Sequence, residues 1–430
     1  MKLLLPIILA FLGFIGASYF IDLNQSFLIG MIILLVAYWS NEALPLGVVS
    51  LFPIIAFPLL GILDIKSVTA NYSNPIIFLF LGGFMLAIAV EKTNLHQIIA
   101  DKLISFFPNT SRGIIFALAI TSAVLSSILS NTTTALLLMP IAMFLSSDVK
   151  LKTRFALSIA YGASIGGIIT PIGTPPNLIL LGFLEENNIQ ALTFVQWMIK
   201  TIPLAILMLI IVGYILSLGV KEFKIELNKK EFKLDKNQNR LKNILIILMI
   251  LLFLNSFFKI PDAIILLSFG LLMFVPKIGF LEWDDTKKIP YEITFLFGAG
   301  FSIAKAFSVT HLDNVVSDML LSFTNLAPFI LLFVVAMIIT FTTEITSNTA
   351  LISIALPIIY ALGEKSDINM ELLLMVATIS ASYAFMLPIA TPPNAIAFSA
   401  GIKIKEMAKY GIIFNFIAIS ITSIIAYFYW

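Results

Sequence analysis

The chain has 430 residues, 60% of them hydrophobic and 12% charged, and its formal net charge is +2. A soluble domain carries about 25% charged residues, so this composition predicts an all-α polytopic membrane protein. The absence of cysteine excludes disulfides, thiolate metal sites and cysteine nucleophiles. No basic patch indicates nucleic-acid binding.

Apolar stretches follow one another along the chain. Residues 1–25 are predicted to hold a first transmembrane helix, because the apolar run is long enough to cross a bilayer. The alternative is a signal peptide, with Lys2 as its basic end and Gly16-Ala17-Ser18 near a cleavage point. Further spans are predicted at 27–45, 47–63, 75–91, 155–183, 193–218, 243–258, 261–279, 291–307, 369–401 and 408–430.

Two more apolar stretches, about 112–147 and 327–362, each carry the triplet Ser-Asn-Thr near the middle. An amide side chain inside lipid must find partners, so we interpret both stretches as re-entrant hairpins. Eleven transmembrane helices then remain.

The distribution of basic residues predicts the orientation, because cytoplasmic loops are enriched in Lys and Arg. With a cytoplasmic N-terminus and an outer C-terminus, most of the 26 basic residues lie inside. Residues 221–242 form the only long polar run and are predicted to be a cytoplasmic linker. The protein is expected in the inner (plasma) membrane.

The two halves on either side of the linker repeat each other. Repeat 1 covers 26–220, with an inner hairpin at 112–147 and a broken helix at 155–183. Repeat 2 covers 243–430, with an outer hairpin at 327–362, a broken helix at 369–401 and a last helix at 408–430. The matching motifs lie 217 positions apart, as do Ser130 and Ser347. Five crossings separate the two triplets, so the second copy is upside down, which is the inverted-topology repeat of secondary transporters.

The motif Thr-Pro-Pro-Asn occurs at 174–177 and again at 391–394, each time inside a predicted span. Proline interrupts a helix and disfavours helical backbone in the residue before it, so both spans should unwind at mid-membrane. The carbonyls of Gly173 and Ala390 then become cation ligands, and the freed helix N-termini favour an anion.

The triplets and the Pro-Pro motifs contain no Lys, Arg or His. Neutral hydroxyl, amide and carbonyl oxygens suit an alkali cation, whereas Mg²⁺ and Ca²⁺ usually recruit carboxylates. A bound anion would be neutralised by helix ends and by co-bound cations.

The stretches "SNTTTALLLMPIA", "TSNTALISIALP", the paired "TPPN", "FLGGFMLAIAVEKTNLH" and "WSNEALPLGVVSLFP" resemble the divalent anion/sodium symporter family of di- and tricarboxylate and sulfate transporters. The resemblance covers nearly the whole chain. It implies a homodimer in membrane lipid and an elevator-type mechanism, in which the hairpins and the broken helices move together.

The resemblance also implies two sodium sites and a dicarboxylate site. The first sodium site would use Ser126, Ser130, Asn131 and Gly173, and the second would use Thr343, Ser347, Asn348 and Ala390. The substrate would be held by Ser130, Asn131, Thr132, Thr174, Pro175, Ser347, Asn348, Thr349, Thr391 and Pro392. Two or more Na⁺ ions are expected to be coupled to transport.

Two alternatives to a sodium-coupled dicarboxylate symporter stay open. An exchanger of dicarboxylates would need no sodium, and citrate or sulfate could replace succinate, fumarate or malate as substrate. An intramembrane enzyme is not supported, because the sequence offers no nucleophile–base pair and no set of metal ligands. Glu344, three residues before Ser347, either influences the second cation site or hydrogen-bonds to nearby backbone.

Overall fold

The computed structural model describes residues 2–41, 43–222, 224, 233–258, 260–320 and 326–430. Within these residues the regular secondary structure is helical. Part of the predicted linker, residues 223 and 225–232, lies outside the described residues.

The first half of the chain forms helices α1 to α12. They are α1 Leu4–Ser18, α2 Leu23–Asn41, α3 Leu46–Ser50, α4 Phe52–Leu59, α5 Ile65–Asn71, α6 Pro75–Lys92, α7 Leu95–Ser105, α8 Ser111–Ser126, α9 Asn131–Phe144, α10 Val149–Gly167, α11 Pro175–Glu186 and α12 Phe194–Ser217.

The described part of the second half forms helices α13 to α21 and a 3-10 turn at Trp283–Lys288. The helices are α13 Lys236–Phe258, α14 Asp262–Leu272, α15 Tyr291–Val309, α16 Leu312–Met319, α17 Pro328–Thr343, α18 Asn348–Glu364, α19 Met370–Ser380, α20 Pro392–Ser399 and α21 Ile404–Phe428.

The 217-residue offset is visible in the backbone. Helices α8 and α17 begin and end 217 positions apart, and so do the first residues of α9 and α18. Asn94 and His311, also 217 apart, precede α7 and α16 with left-handed φ angles of 55° and 56°. The repeat therefore extends to unusual backbone conformations.

Polar side chains explain where several helices begin. The Asp148 carboxylate accepts hydrogen bonds from the amides of Lys150 and Leu151 at the start of α10. Thr193 and Gln196 form a reciprocal capping box at the start of α12, which satisfies amides that have no partner within the helix.

Helix α13 begins inside the predicted polar linker. The Asp235 side chain accepts from the amide of Gln238, and Gln238 accepts in return from the amide of Asp235. This capped start allows α13 to begin at Lys236, so the last seven residues of the predicted linker 221–242 are helical.

Six helical segments are long and apolar enough to cross a membrane, counted over the described residues. They are Leu23–Asn41, Ile65–Lys92, Phe194–Ser217, Lys236–Asn255, Tyr291–Val309 and Ile404–Phe428. The chain is thus a multi-pass membrane protein. Eight shorter apolar helices, including those of both triplet regions, accompany these segments.

The buried apolar side chains form two separate clusters. The smaller one comes mainly from α2 to α5 and α15, and includes Leu35, Trp39 and Phe57. The larger one surrounds the triplet helices and the interrupted helices, and includes Tyr161 and Phe385.

Candidate functional site

The first triplet lies at the junction of two helices. Helix α8 ends at Ser126 and α9 begins at Asn131, with Ser130 as its N-cap. The Ser130 hydroxyl accepts from the amide of Thr133 at 3.1 Å. The Ser126 hydroxyl donates to Asn131 Oδ1 at 2.5 Å, so two of the predicted first-site oxygens are adjacent.

The second triplet repeats this arrangement. Helix α17 ends at Thr343 and α18 begins at Asn348. The Thr343 hydroxyl donates to Asn348 Oδ1 at 2.6 Å. A hydroxyl on the last residue of one helix thus contacts an amide oxygen on the first residue of the next in both copies.

The Thr-Pro-Pro-Asn motifs begin new helices after an unwound segment. Helix α10 ends at Gly167 and α11 begins at Pro175, whereas α19 ends at Ser380 and α20 begins at Pro392. The missing proline donor costs nothing at the first helical position, so the motif favours helix initiation at this point.

The asparagine that ends each motif joins the two sides of the unwound segment. Asn177 Nδ2 donates to the carbonyls of Gly167 and Thr170, both at 2.9 Å. Asn394 Nδ2 donates to the carbonyls of Ala384 and Leu387, at 2.8 and 3.0 Å. This role was not predicted from the sequence, although the 217-residue spacing of two amides inside apolar helices is a signal for it.

Close backbone packing brings the first triplet to the first unwound segment. A Cβ added at Gly167 would lie 3.1 Å from Asn131 Oδ1, and one at Gly173 would lie 2.6 Å from the Gly167 carbonyl oxygen. Asn131 and the segment that carries Gly173 are therefore neighbours, as the predicted first sodium site requires.

One cavity of about 810 Å³ connects both triplets with both Pro-Pro motifs. Twelve of the predicted site residues line it. They are Ser130, Asn131, Thr132, Gly173, Thr174, Pro175, Ser347, Asn348, Thr349, Ala390, Thr391 and Pro392. The other two, Ser126 and Thr343, are fully buried behind the asparagines to which they donate.

Four helix N-termini meet at this cavity. Their first residues, all in its lining, are Asn131, Pro175, Asn348 and Pro392. Each helix N-terminus carries about half a positive charge. The ends of α9 and α18 also offer backbone amides, whereas α11 and α20 each begin with two prolines, which have no N–H. The cavity wall can thus hold an anion without a cationic side chain.

The charged residues of the cavity lining are Glu91 and Lys288. The lining also includes Trp39, Ser40 and Pro290. In the orientation predicted from the basic residues Lys288 would be cytoplasmic, so the end of the cavity at Lys288 is predicted to be its cytoplasmic mouth.

An ion pair lies beside this mouth. Lys92 Nζ lies 2.6 Å from Asp285 Oδ2, where the end of α6 meets the 3-10 turn. Burial acts to raise the pKa of the Asp285 carboxyl, but hydrogen bonds from the Glu282 amide and from Lys92 outweigh it and hold the pKa below its usual range. Asp285 therefore stays ionised at neutral pH.

The donor chemistry fits an alkali cation. No group of three or more His, Cys, Asp or Glu that could hold a metal ion occurs in the described ranges. The clustered oxygens belong instead to Ser, Thr and Asn side chains and to the unwound backbone, which are the neutral ligands expected for Na⁺.

Glu344 is a buried acidic group beside the second triplet turn. It is 3% exposed and accepts hydrogen bonds from the amides of Met386 and Leu387 and from Asn415 Nδ2. These contacts answer in part the question that the sequence left open, because Glu344 hydrogen-bonds to backbone amides of the second unwound segment.

Comparison with known proteins agrees with this geometry. The citrate transporter family model matches residues 32–379. A sodium-dependent dicarboxylate transporter of Staphylococcus saprophyticus is 32% identical, over 94% of this chain and 85% of the relative. The corresponding transporter of Staphylococcus aureus is 31% identical, over 91% of this chain and 83% of the relative.

Two solved transporter structures share the fold at 13% sequence identity. MtrF of Neisseria gonorrhoeae, of a class of antimetabolite efflux pumps, superposes with a TM-score of 0.63 over 96% of this chain and 97% of that chain. The YdaH transporter of Alcanivorax borkumensis superposes with a TM-score of 0.60 over 94% and 97%. Together with the sequence matches, these similarities show that the chain belongs to the citrate transporter family, as a bacterial member of the divalent anion/sodium symporters.

Proposed function

We propose that this protein imports a small dicarboxylate together with Na⁺. The observation that carries the proposal is the single cavity lined by two neutral oxygen clusters and four helix N-termini. The clusters suit alkali cations and the helix ends suit carboxylates. The Staphylococcus relatives are sodium-dependent dicarboxylate transporters, which supports the same pairing here.

The two sodium sites follow the two hairpins. The first would use Ser126, Ser130, Asn131 and the Gly173 carbonyl, and the second Thr343, Ser347, Asn348 and the Ala390 carbonyl. The 2.5 and 2.6 Å hydroxyl–amide contacts support this assignment, because they place ligand oxygens side by side. The dicarboxylate would lie between the two triplets, at the starts of α11 and α20.

Alternating access would proceed by an elevator motion. The larger hydrophobic cluster contains side chains of both hairpins and of both interrupted helices, which supports their moving as one body. A cavity that reaches Lys288 corresponds to the inward-open state.

The proposed topology has eleven crossings, two re-entrant hairpins, a cytoplasmic N-terminus and an outer C-terminus. The chain has no native cysteine, so single cysteines report the topology directly. Asn237→Cys should react with an impermeant thiol reagent only after the inner face is exposed, whereas Gln190→Cys should react in intact cells. Labelling of Asn237→Cys in intact cells would overturn the orientation.

A homodimer in membrane lipid completes the proposal. Exposed apolar side chains on α1 and α13, such as Leu4, Phe11, Ile250 and Phe253, support extensive contact with lipid or with a second copy. Single-molecule photobleaching of the labelled protein in lipid should give two steps per particle, and one step would contradict the dimer.

Uptake into proteoliposomes tests the function itself. Labelled succinate, citrate and sulfate are offered with an inward sodium gradient, with equal sodium on both sides, or with choline. We expect sodium-driven accumulation of succinate into vesicles that contain no internal dicarboxylate. Uptake that needs internal dicarboxylate and ignores sodium would indicate the exchanger, and accumulation of citrate or sulfate alone would change the substrate.

A further inference from the structure

The second hairpin carries a buried acid that the first hairpin lacks. Glu344 directly follows Thr343 at the end of α17 and is 3% exposed. The position 217 residues earlier is Ser127, whose hydroxyl donates to the carbonyl of Val124 in the preceding turn. The two hairpins thus have matching neutral ligands but different charges.

The contacts of Glu344 identify its ionisation state. Oε1 accepts from the Met386 amide at 2.9 Å and from Asn415 Nδ2 at 2.7 Å, and Oε2 accepts from the Leu387 amide at 3.0 Å. All three partners are donors, and an ionised carboxylate is the form that only accepts. This geometry therefore favours a buried negative charge at Glu344.

This charge has no cationic side chain as a partner among the described residues; the ion pairs found there involve other acids. A buried carboxylate without a counter-charge is costly, and hydrogen bonds compensate only in part. A cation bound nearby would offset the part of this cost that the hydrogen bonds leave uncompensated.

The proposed second sodium site supplies that cation. Glu344 directly follows Thr343 in the chain and lies three residues before Ser347. Thr343 and Ser347 both belong to the proposed second sodium site. The two amide donors of Glu344 are in the unwound segment that also carries Ala390, the proposed carbonyl ligand. The carboxylate thus touches the segment that completes the site, while its own oxygens are occupied by N–H donors.

We infer that Glu344 is the fixed counter-charge of the second sodium site, so that this site binds Na⁺ more tightly than the first and fills before the dicarboxylate arrives. The inference rests on the proposed sodium sites. The first site has no acid at the matching position and gains its negative charge only when the dianion enters. Glu344 acts as a positioning residue through charge and is not itself a ligand.

Sodium binding by the purified protein tests this inference without transport. Isothermal titration with NaCl in choline buffer, without dicarboxylate, should resolve a tight and a weak site. Glu344→Gln keeps the size but removes the charge, and should weaken the tight site at least tenfold. Glu344→Asp keeps the charge and should retain most of the affinity. Ser127→Ala, the matched change in the first hairpin, should stay within twofold of the wild type.

A purely structural role of Glu344 predicts a different order of sodium affinities among the variants. The shorter Asp loses the contacts to Met386 and Leu387, so it would then be at least as damaging as Gln. Equal sodium affinity in Glu344→Gln and the wild type, or a weaker tight site in Glu344→Asp than in Glu344→Gln, would overturn the inference.

A second pair of variants keeps the test decisive if Glu344→Gln does not fold. Asn131→Ala should remove the weak site and leave the tight one, and Asn348→Ala should remove the tight one. The reverse assignment would contradict the inference. A wild-type protein that binds no sodium would instead refute the proposed function.

Discussion

The two interrupted helices match in sequence motif but differ in how they are held open. The first unwound segment runs from 168 to 174, and the second from 381 to 391. In the first, Trp197 Nε1 and the Thr201 hydroxyl donate to the carbonyls of Ile168 and Ile169. In the second, Glu344 accepts from backbone amides.

This difference follows from helix length. Helix α19 ends four residues earlier, relative to the repeat, than α10 does, and the amides of Phe385 and Met386 bond to side chains instead of to carbonyls of a preceding helical turn. In the first segment the Ile169 amide still bonds to the Gly166 carbonyl at 3.0 Å. The equivalent Met386 amide bonds to Glu344 instead. The repeat thus preserves the proposed sodium-ligand residues. The charge beside them and the hydrogen bonds that hold each unwound segment differ between the two copies.

The largest predicted effect tests what the copies share. Asn131→Asp and Asn348→Asp keep the cation-binding oxygen but add a negative charge beside the dianion. At an effective dielectric of about 20, unit charges 4 Å apart interact by about 4 kcal/mol, so each change should reduce succinate uptake about a thousandfold. Sodium affinity should not fall.

Asn239→Asp, on the exposed first turn of α13, is the matched control and should transport like the wild type. Folding of each variant is checked by gel filtration and thermal unfolding. If Asn131→Asp and Asn348→Asp fold and still take up succinate near the wild-type rate, the triplets are only structural turns.

The next effect tests a place where the copies differ. Gly173→Ala would put a Cβ 2.6 Å from the Gly167 carbonyl oxygen, so the backbone that carries the proposed sodium ligand must shift. We expect the sodium concentration for half-maximal uptake to rise at least tenfold. The reciprocal Ala390→Gly removes a side chain without a clash and should change that concentration less than threefold. If Gly173→Ala and Ala390→Gly changed the sodium concentration for half-maximal uptake equally, close packing against the Gly167 carbonyl would not be what constrains the first unwound segment.

A smaller effect concerns the amides that join the unwound segments. Asn177→Leu and Asn394→Leu each leave two buried carbonyls without their side-chain donor. An unsatisfied buried group costs about 1–3 kcal/mol, so both variants should have lower unfolding temperatures in detergent. Asn187→Leu, which loses one bond at the end of α11, is the control. Unchanged thermal stability in both interior variants would show that the asparagines are dispensable.

The smallest expected signal is electrical. A dianion that enters against 100 mV costs about 4.6 kcal/mol, and two sodium ions cancel this cost because each unit charge contributes about 2.3 kcal/mol. Two sites therefore predict an electroneutral cycle. Uptake of succinate by proteoliposomes on a solid-supported membrane should give no sustained current, and a steady inward current would require a third coupled cation.

The polar ligands could be predicted from the sequence because they are local and doubled. Ser130, Asn131 and their counterparts stand out as polar residues in apolar stretches, and the constant spacing shows that both belong to one site. Twelve of the predicted site residues line one cavity in the structure. Their roles as ligands stay predictions.

The hydrogen bonds that hold the unwound segments could not be predicted, because they depend on tertiary contacts. The Glu344 carboxylate meets Asn415, which lies 71 residues further along the chain, and no local pattern indicates that pairing. Hydropathy likewise does not distinguish an unwound segment from a helix when both are apolar. The start of α13 was predictable in principle, since Asp235 and Gln238 have the spacing of a capping box.

A map of the protein in lipid nanodiscs, determined by electron cryo-microscopy with sodium and succinate and again with choline, tests the central claim most directly. We expect one sodium density among Ser126, Asn131 and the Gly173 carbonyl. A second is expected among Thr343, Asn348 and the Ala390 carbonyl, with succinate between the two triplets. All three densities should disappear in choline. Sodium or succinate bound away from both triplets would refute the proposed sites.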